Sequence, residues 1–433
     1  MYRAGLAAVA PGAALERALA GLAIASSDRP WLFALGKAAV PMAASAVAVL
    51  RRHGAEPSGG VVVAPEPGEA PHAMIVVAQG DHPEPGAGSF AAAALIGRTA
   101  ARVRSGDEAW VLLSGGATSL AAAPIAGVSE SELTALFALL LRSGLDIAAM
   151  NTVRKRFSRW GGGRLAVALA PARLRVFAIS DVAGDDLAAI GSGPCTPDPA
   201  TVADVRRLLE RASLLDRVPS AIRTALDRAE HDPQLETRKA GDRAFRGVET
   251  RIIANNALAL DAIAREALAR GISLHAAGGA LSGEAAAAGR RIVRDILAMP
   301  VVTVTPLARG AAERCLIAGG ETVVALGDIP AGMLGGRSQE LALAAARELR
   351  TTGAGRSITV LAAGTDGRDG PTDAAGAVVD GETWDAIRCA GRDPERDLAA
   401  HDAYRALDAA GALLRTGPTG TNVMDVVIAL RRD

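Results

Sequence analysis

An α/β fold is predicted, with two domains, each a mostly parallel sheet flanked by helices. Three observations lead there. Short continuous apolar blocks alternate with longer stretches whose apolar residues recur at helical spacing. The chain has 433 residues, beyond the ~250–300 at which a single core stops growing. One polar, aperiodic stretch, residues 230–250, interrupts the alternation. The predicted domains are therefore 1–235, Rossmann-like, and 236–433.

The elements follow in order. The N-terminus reads as an amphipathic helix and not a signal peptide, because Glu16 and Arg17 break its apolar run. Trp31–Leu35, Gly60–Ala64, Met74–Ala78, Ala109–Leu113 and Leu174–Ile179 are apolar blocks between turn residues, the pattern of buried strands. Lys37–Arg52, Ser89–Arg104 and Ser129–Asp146 carry helical periodicity. Ser129 with Glu132 forms a capping box. Helices are also expected at Ala200–Arg211 and Ser220–Ala229. Beyond the polar stretch, strands are expected at Arg251–Ala254, Ser273–Ala276, Val301–Val304, Cys315–Ala318, Val323–Leu326, Ile358–Ala362 and Asp425–Leu430. Helices are expected at Asn256–Arg270, Gly283–Ala298 and Gln339–Leu349.

Composition excludes several functions. Forty-seven cations balance 47 anions, and there are only twelve aromatics. A nucleic-acid binder would need a basic face and stacking surfaces. The longest uncharged run, Ala109–Ser129, holds Gly115, Gly116, Pro124 and Gly127, so it is not a membrane helix. Cys195, Cys315 and Cys389 are too far apart for a disulfide framework or zinc spacing, and suit a reducing cytoplasm. Only three of the cations are lysines, Lys37, Lys155 and Lys239. The shortage reflects an Ala-, Gly- and Arg-rich composition, but it draws attention to each lysine that remains.

Ligands of open α/β sheets bind beyond the carboxyl ends of the strands. The strand exits here are rich in Gly, Ser, Thr, Asp and Asn. Ser114, Gly115 and Gly116 form either an anion cradle at a helix start or an ordinary strand-to-helix turn. Lys37 opens a helix, where a cation is unfavourable unless an anion compensates it; Arg337, after Gly335-Gly336, does the same. Asn151, Arg154, Lys155 and Arg156 form a basic run, at least half of it read as a solvated helix face. Asp181, Asp185 and Asp186 cluster after one strand, and Asp366, Asp369 and Asp373 after another. Such carboxylates hold Mg²⁺, act as a base, or cap turns and helices. His82 and His401 are read as structural. Gly161-Gly162-Gly163-Arg164-Leu165-Ala166 matches a dinucleotide fingerprint in letters, but follows no strand and so fails the context that gives the motif its chemistry.

At these loops the chain resembles a known family. The blocks are Leu35-Gly36-Lys37-Ala38-Ala39, Gly80-Asp81-His82-Pro83, Leu113-Ser114-Gly115-Gly116, Asn151-Thr152-Val153-Arg154-Lys155, Ile190-Gly191-Ser192-Gly193-Pro194, Gly319-Gly320-Glu321-Thr322, Gly335-Gly336-Arg337-Ser338-Gln339-Glu340 and Ala363-Gly364-Thr365-Asp366-Gly367. Gly370-Pro371-Thr372-Asp373 and Thr416-Gly417-Pro418-Thr419-Gly420-Thr421-Asn422 complete the set. They resemble the class II glycerate 2-kinases, which carry a C-terminal MOFRL domain and are often labelled hydroxypyruvate reductase. The resemblance implies ATP-dependent phosphorylation of the 2-hydroxyl of D-glycerate. It implies an active site in the interdomain cleft, ATP and Mg²⁺ as cofactors, D-glycerate as partner, and a soluble cytoplasmic enzyme, with a homodimer as one arrangement.

Carried onto matching positions, Lys37 and Arg337 are implied as the catalytic pair, with Asp181 as candidate catalytic base or Mg²⁺ contact and Asp366 as a second. Ser114, Gly115, Gly116, Asn151, Arg154, Asn255, Gly320, Glu321 and Asp366 are implied in substrate or nucleotide binding, with Asp181 and Asp366 as Mg²⁺ contacts. Members usually carry Lys-Gly-Gly where this chain has Gly161-Gly162-Gly163, His at Arg156 and Asn at Ser338. Alternative readings are a kinase of a related short sugar acid, a hydroxypyruvate reductase, and a non-catalytic ligand-binding protein.

Overall fold

The computed structural model describes residues 1–276, 280–299, 313–326, 332–353 and 357–432. The chain divides into two compact units, Pro11–Ile253 and Met1–Ala10 with Ala254–Asp433. The division falls at residue 253, not at 235. The polar stretch contributes to the earlier unit: it carries Glu236, which pairs with Arg156, and leads into an edge strand of that unit's sheet. Its polarity marks surface, not a linker.

The Pro11–Ile253 unit is built on six strands: β1 (Trp31–Leu35), β2 (Gly59–Ala64), β3 (Ile75–Gln79), β4 (Glu108–Leu113), β5 (Arg173–Ile179) and β6 (Val248–Ala254). Their order is β3-β2-β1-β4-β5-β6. The pairings β1–β2, β2–β3, β1–β4 and β4–β5 are all parallel. Helix Ala39–Arg52 packs beside β1 and β2, and Ala87–Ala100 packs beside β2 and β3. Every residue of β1 is buried, which is why it reads as an unbroken apolar block. A second apolar cluster joins helices Glu130–Leu141, Ile147–Phe157, Val202–Arg211 and Ser220–His231. The capping box at Ser129 and Glu132 is present.

This order places a topological switch point between β1 and β4. From β1 the chain winds outward through β2 and β3, then returns to β4 on the other side. Leu35 and Leu113 are in register, so the segments that follow, Gly36-Lys37 and Ser114-Gly115-Gly116, leave the sheet side by side.

In the second unit the order is β11-β10-β9-β12-β8-β7. These strands are β7 (Ser273–Ala276), β8 (Glu313–Gly320), β9 (Ile358–Gly364), β10 (Gly376–Asp380), β11 (Leu413–Leu414) and β12 (Asp425–Arg432). Only β7–β8 is parallel among the described pairs; β8–β12, β12–β9, β9–β10 and β10–β11 are antiparallel. The expected α/β class holds, but this sheet is mixed and not mostly parallel. Apolar continuity reports burial on both faces and says nothing of direction. Burial is provided by helices Ala285–Ala298 and Arg337–Thr352 in one cluster, and by Tyr2–Ala8 and Asn256–Ala269 in another.

The N-terminal segment is two helices, Tyr2–Ala8 and Pro11–Leu19, and the first belongs to the C-terminal unit. It docks closely on Asn256–Ala269: a methyl group at Gly5 would stand 2.9 Å from Ile263 Cγ1. The strand expected at Val323–Leu326 does not form; Val323 and Leu326 are exposed, and only one isolated bridge, Glu284 to Val323, is made. The strand expected at Val301–Val304 lies outside the described residues. Among the described residues no helix is long and apolar enough to cross a membrane.

Candidate active site

At the switch point, Ser114 N donates to Leu35 O at 3.0 Å, and Lys37 N donates to Gly115 O at 2.9 Å. Ser114 Oγ accepts from Ala38 N at 3.0 Å. The hydroxyl thus caps the turn that launches the Ala39–Arg52 helix. Gly36 has φ +122° and lies so close to Ser114 that any side chain would collide with it. Gly115 is similarly pressed against the Asp181 carboxylate. Gly116 has φ +82°, and a Cβ there would stand 3.3 Å from both His82 Cδ2 and Lys37 Cγ. The glycines are required because three functional side chains crowd one backbone loop.

Lys37 is exposed, and its ammonium has no hydrogen-bond or ion-pair partner among the described residues. Asp181 follows β5. Removal from water pushes its carboxyl above the usual range, while its own backbone amide and the Lys37 charge pull the other way. His82 is exposed on one side, yet crowding by protein atoms and the charges of Lys37 and Arg154 hold its pKa down at about 4. Its imidazole is therefore neutral at pH 7.

Arg154 sits on helix Ile147–Phe157 and is 6% exposed. Its guanidinium stacks 4.9 Å over the Phe137 ring. Nε and Nη2 are buried without a hydrogen-bond partner. Burial lowers its pKa. Native structures rarely leave such atoms unmatched, and where they do a ligand is a standard cause.

The rest of the basic run corrects the expected solvated face. Lys155 and Arg156 are 6% and 3% exposed. Lys155 Nζ pairs with Asp198 at 3.0 Å and donates to Ala188 O at 3.2 Å. Arg156 pairs with Glu236. The helix lies among other helices, and carboxylates from distant segments match its charges. Asn151, one turn earlier, is half-buried.

In the second unit, Arg337 is the first residue of its helix. Its Nε and Nη2 donate to Asp425 at 2.6 and 3.1 Å, and Nη1 donates to Glu321. Asp425 is buried and begins β12, opposite Gly320 on β8 and Gly364 on β9. A Cβ at Gly364 would meet Asp366 Oδ1 at 3.1 Å and Asp425 Oδ1 at 3.4 Å, so both carboxylates lean on this glycine. Asp366 Oδ1 also accepts from Arg368 N at 3.0 Å. Asp369 accepts from Ser338 N and Gln339 N at 3.1 and 2.7 Å, taking the place of the missing N-cap side chain at Gly336. Burial, with Asp425 nearby, pushes the Asp369 carboxyl up to about 7.

Asn255 caps helix Asn256–Ala269 by accepting from Leu258 N at 3.0 Å. Its buried neighbour Asn256 donates to Val423 O and Asp425 O at 2.8 and 3.1 Å. His401 bonds buried Glu340 at 2.7 Å, in keeping with a structural role. Among the described residues no group of three His, Cys, Asp or Glu is arranged to hold a metal ion.

Of the residues singled out, one unit therefore assembles Lys37, Ser114, Gly115, Gly116, Asp181 and Arg154. The other assembles Arg337, Glu321, Gly320 and Asp366, with Asn255 at a helix cap beside them. His82, read from the sequence as structural, stands against Gly116 beside Lys37. Sequence reasoning did not single out Asp425. Asp425 carries no motif, and an acid at the start of an apolar strand does not mark it either, since Glu108 and Glu313 open strands in the same way.

Comparison with known proteins gives two family matches. Residues 1–227 match the family described as a domain of unknown function, DUF4147, and residues 314–425 match the MOFRL family. A D-glycerate 2-kinase of Thermotoga maritima is 38% identical over 98% of this chain and 95% of its own length. A glycerate 2-kinase of Pyrococcus horikoshii is 37% identical over 92% of this chain and 87% of its own. The crystal structure of a glycerate kinase from Thermotoga maritima superposes with a TM-score of 0.83 at 36% identity, covering 99% of this chain and 97% of that one. The chain is an α/β protein of two units that belongs to the class II glycerate kinase family.

Proposed function

We propose that this chain is a glycerate 2-kinase, transferring the γ-phosphoryl group of ATP to the 2-hydroxyl of D-glycerate. The observation that carries this reading is the unpartnered pair of cations at the switch point. Lys37 has no counter-ion among the described residues, and Arg154 holds two buried nitrogens without acceptors. Lys37 lies against the glycine loop, the charges of both act on His82 beside it, and both call for an anion.

In phosphoryl transfer the charge of the transition state spreads over the transferred oxygens, and the protein contributes positioning and positive charge. Lys37 supplies a point charge to the phosphate, and the Ser114–Gly116 backbone approaches it closely. Arg154 presents a planar fork suited to a carboxylate or phosphate. Asp181 is the base: as the O–P bond forms and the bond to the leaving ADP oxygen breaks, the 2-hydroxyl proton passes to its carboxylate. Burial raises its basicity for that task. Arg337, fixed on two sides by Asp425 and Glu321, is proposed as a third cation for the reaction.

Magnesium fits this donor set as an ion carried by the nucleotide, since Mg²⁺ on phosphates needs only one or two carboxylates. Asp181 and Asp366 are the candidates, and the ion would add positive charge at the phosphates. On this reading the enzyme works in the cytoplasm, where Cys195, Cys315 and Cys389 stay reduced.

The test is ADP release that requires D-glycerate, ATP and Mg²⁺, with the product phosphorylated at the 2-position by NMR. NADH oxidation with hydroxypyruvate, without ADP release from a panel of short sugar acids, would overturn the proposal.

A further inference from the structure

The Pro11–Ile253 unit contains a cavity of about 410 Å³ that none of the residues given a part in phosphoryl transfer lines. Four chain segments enclose it: the Ile125–Gly127 turn, the stretch from Arg156 to Val167, helix Ser220–His231, and the loop Gln234–Arg238. The volume lies in the range of small-molecule sites.

Its charge is lopsided. Arg156, Arg164, Arg228 and Arg238 line it, against one carboxylate, Glu236. That carboxylate is already shared: it pairs with Arg156 and, at 3.5 Å, with Lys239, and accepts from Val202 N and Thr237 N. Arg164 has no carboxylate partner among the described residues. It rests on carbonyl oxygens alone, those of Lys155, Ser158, Gly161 and Arg156, at 3.0–3.2 Å. Burial and the neighbouring Arg156 pull its pKa down to about 10. Arg228 is exposed and unpartnered among the described residues. Arg238 has only Asp242, at 3.6 Å.

The other walls are apolar, with Ile125, Phe157, Val167 and Ala229 prominent. An apolar chamber with surplus guanidinium groups selects an anion attached to a nonpolar body. Inorganic phosphate alone would leave the apolar wall wet, and a neutral hydrocarbon would leave the arginines uncompensated.

We propose that this cavity is a binding site for a small organic anion, a carboxylate or phosphate monoester on an apolar body, distinct from the phosphoryl-transfer residues. Arg156 and Arg164 set the inner charge, and Arg228 and Arg238 guide the anion at the mouth.

The full-length protein would be titrated calorimetrically with 1-naphthyl phosphate, 1-naphthoate, 1-naphthol and inorganic phosphate. At least one naphthyl anion should saturate at one equivalent per chain. Naphthol and inorganic phosphate should bind at least about tenfold more weakly, and the two anion arms decide between phosphate and carboxylate. Arg228→Glu with Arg238→Glu, both exposed, should weaken the preferred anion at least about tenfold while the melting temperature holds. Ala225→Trp, which fills the cavity and keeps every charge, should also abolish binding. Affinity should be unchanged in Lys37→Ala. Absence of saturable binding, equal affinity for naphthol, indifference to both cavity variants, or loss of binding in Lys37→Ala would each overturn the proposal. None of these readouts depends on kinase turnover.

Discussion

Arg154→Met separates a binding role for this arginine from a structural one. In the free protein the guanidinium is 6% exposed and leaves Nε and Nη2 unmatched. Each buried unsatisfied polar atom costs about 1–3 kcal/mol. Stacking on Phe137 at 4.9 Å returns about 1–2 kcal/mol. Two such atoms at about 2 kcal/mol each, less the stacking, leave a net cost of about 2–3 kcal/mol for keeping Arg154. Methionine fills a similar volume without polar atoms and should recover most of it. For a unit spanning Pro11–Ile253, about 2–4 °C accompanies each kcal/mol, so the melting temperature should rise by roughly 4–12 °C.

Turnover should move the opposite way. A charge-assisted hydrogen bond to an anionic substrate contributes about 1.5–3 kcal/mol, and two such bonds are lost. The value of kcat/KM should fall about 10²-fold or more. Differential scanning calorimetry and a coupled ADP assay measure the two effects on one preparation. A lower melting temperature with wild-type kcat/KM would refute the assignment, because it would mean that Arg154 is bonded within the protein and idle in the reaction. Gain of stability with loss of activity is the signature of a group held in readiness for a ligand.

Arg337→Lys keeps the charge but cannot span Asp425 and Glu321 together; kcat/KM should drop roughly 10–100-fold with normal folding, and unchanged kinetics would remove Arg337 from the site. Lys155→Met strands Asp198, whose side chain is 2% exposed, and should lower stability by about 3–5 kcal/mol in urea titrations. Asp369 is raised to about 7 from a usual value near 4, so the folded state binds the extra proton between these values; stability from this group is full below about pH 4 and is lost as pH rises towards 7. Asp369→Asn should therefore flatten the fall in melting temperature between pH 5 and pH 8, and an unaltered slope would count against it.

The first sheet was legible because parallel strands covered on both faces become apolar blocks: Trp31–Leu35 was placed to the residue. Its exits led directly to Lys37 and Ser114–Gly116. In the second sheet β7, β8, β9 and β12 were legible as strands but not in direction, since Asp425–Arg432 looks the same whether its neighbours run with it or against it; β10 and the two-residue β11 were not expected. The docking of Tyr2–Ala8 on the C-terminal unit was hidden, because a short apolar helix does not announce its partner. Arg154, Lys155 and Arg156 were misread for a related reason. Three successive charges on a helix normally face water, and only the fold brings Asp198 and Glu236 to two of them.

That last point bears on the lysines. Lys155 and Lys239 both hold the loop around Asp198: one pairs with its carboxylate, the other donates to its carbonyl and to that of Ala200. Lys37 is the lysine without a partner among the described residues. The loop Gly161-Gly162-Gly163 lies against the same structure, with Gly162 N and Gly163 N donating to Ser192 O and Gly193 O. Left-handed φ angles are confined to Gly162 and Gly163, at +57° and +79°. A Cβ at Gly161 would meet Lys155 O at 3.1 Å and Ser192 Cβ at 3.4 Å, which a shift of a few tenths of an ångström relieves. The backbone thus keeps the shape a Lys-Gly-Gly segment needs, while the charge is gone. On the proposed reading the anion-binding work rests on Lys37 and Arg154, two cations that have no counter-ion among the described residues.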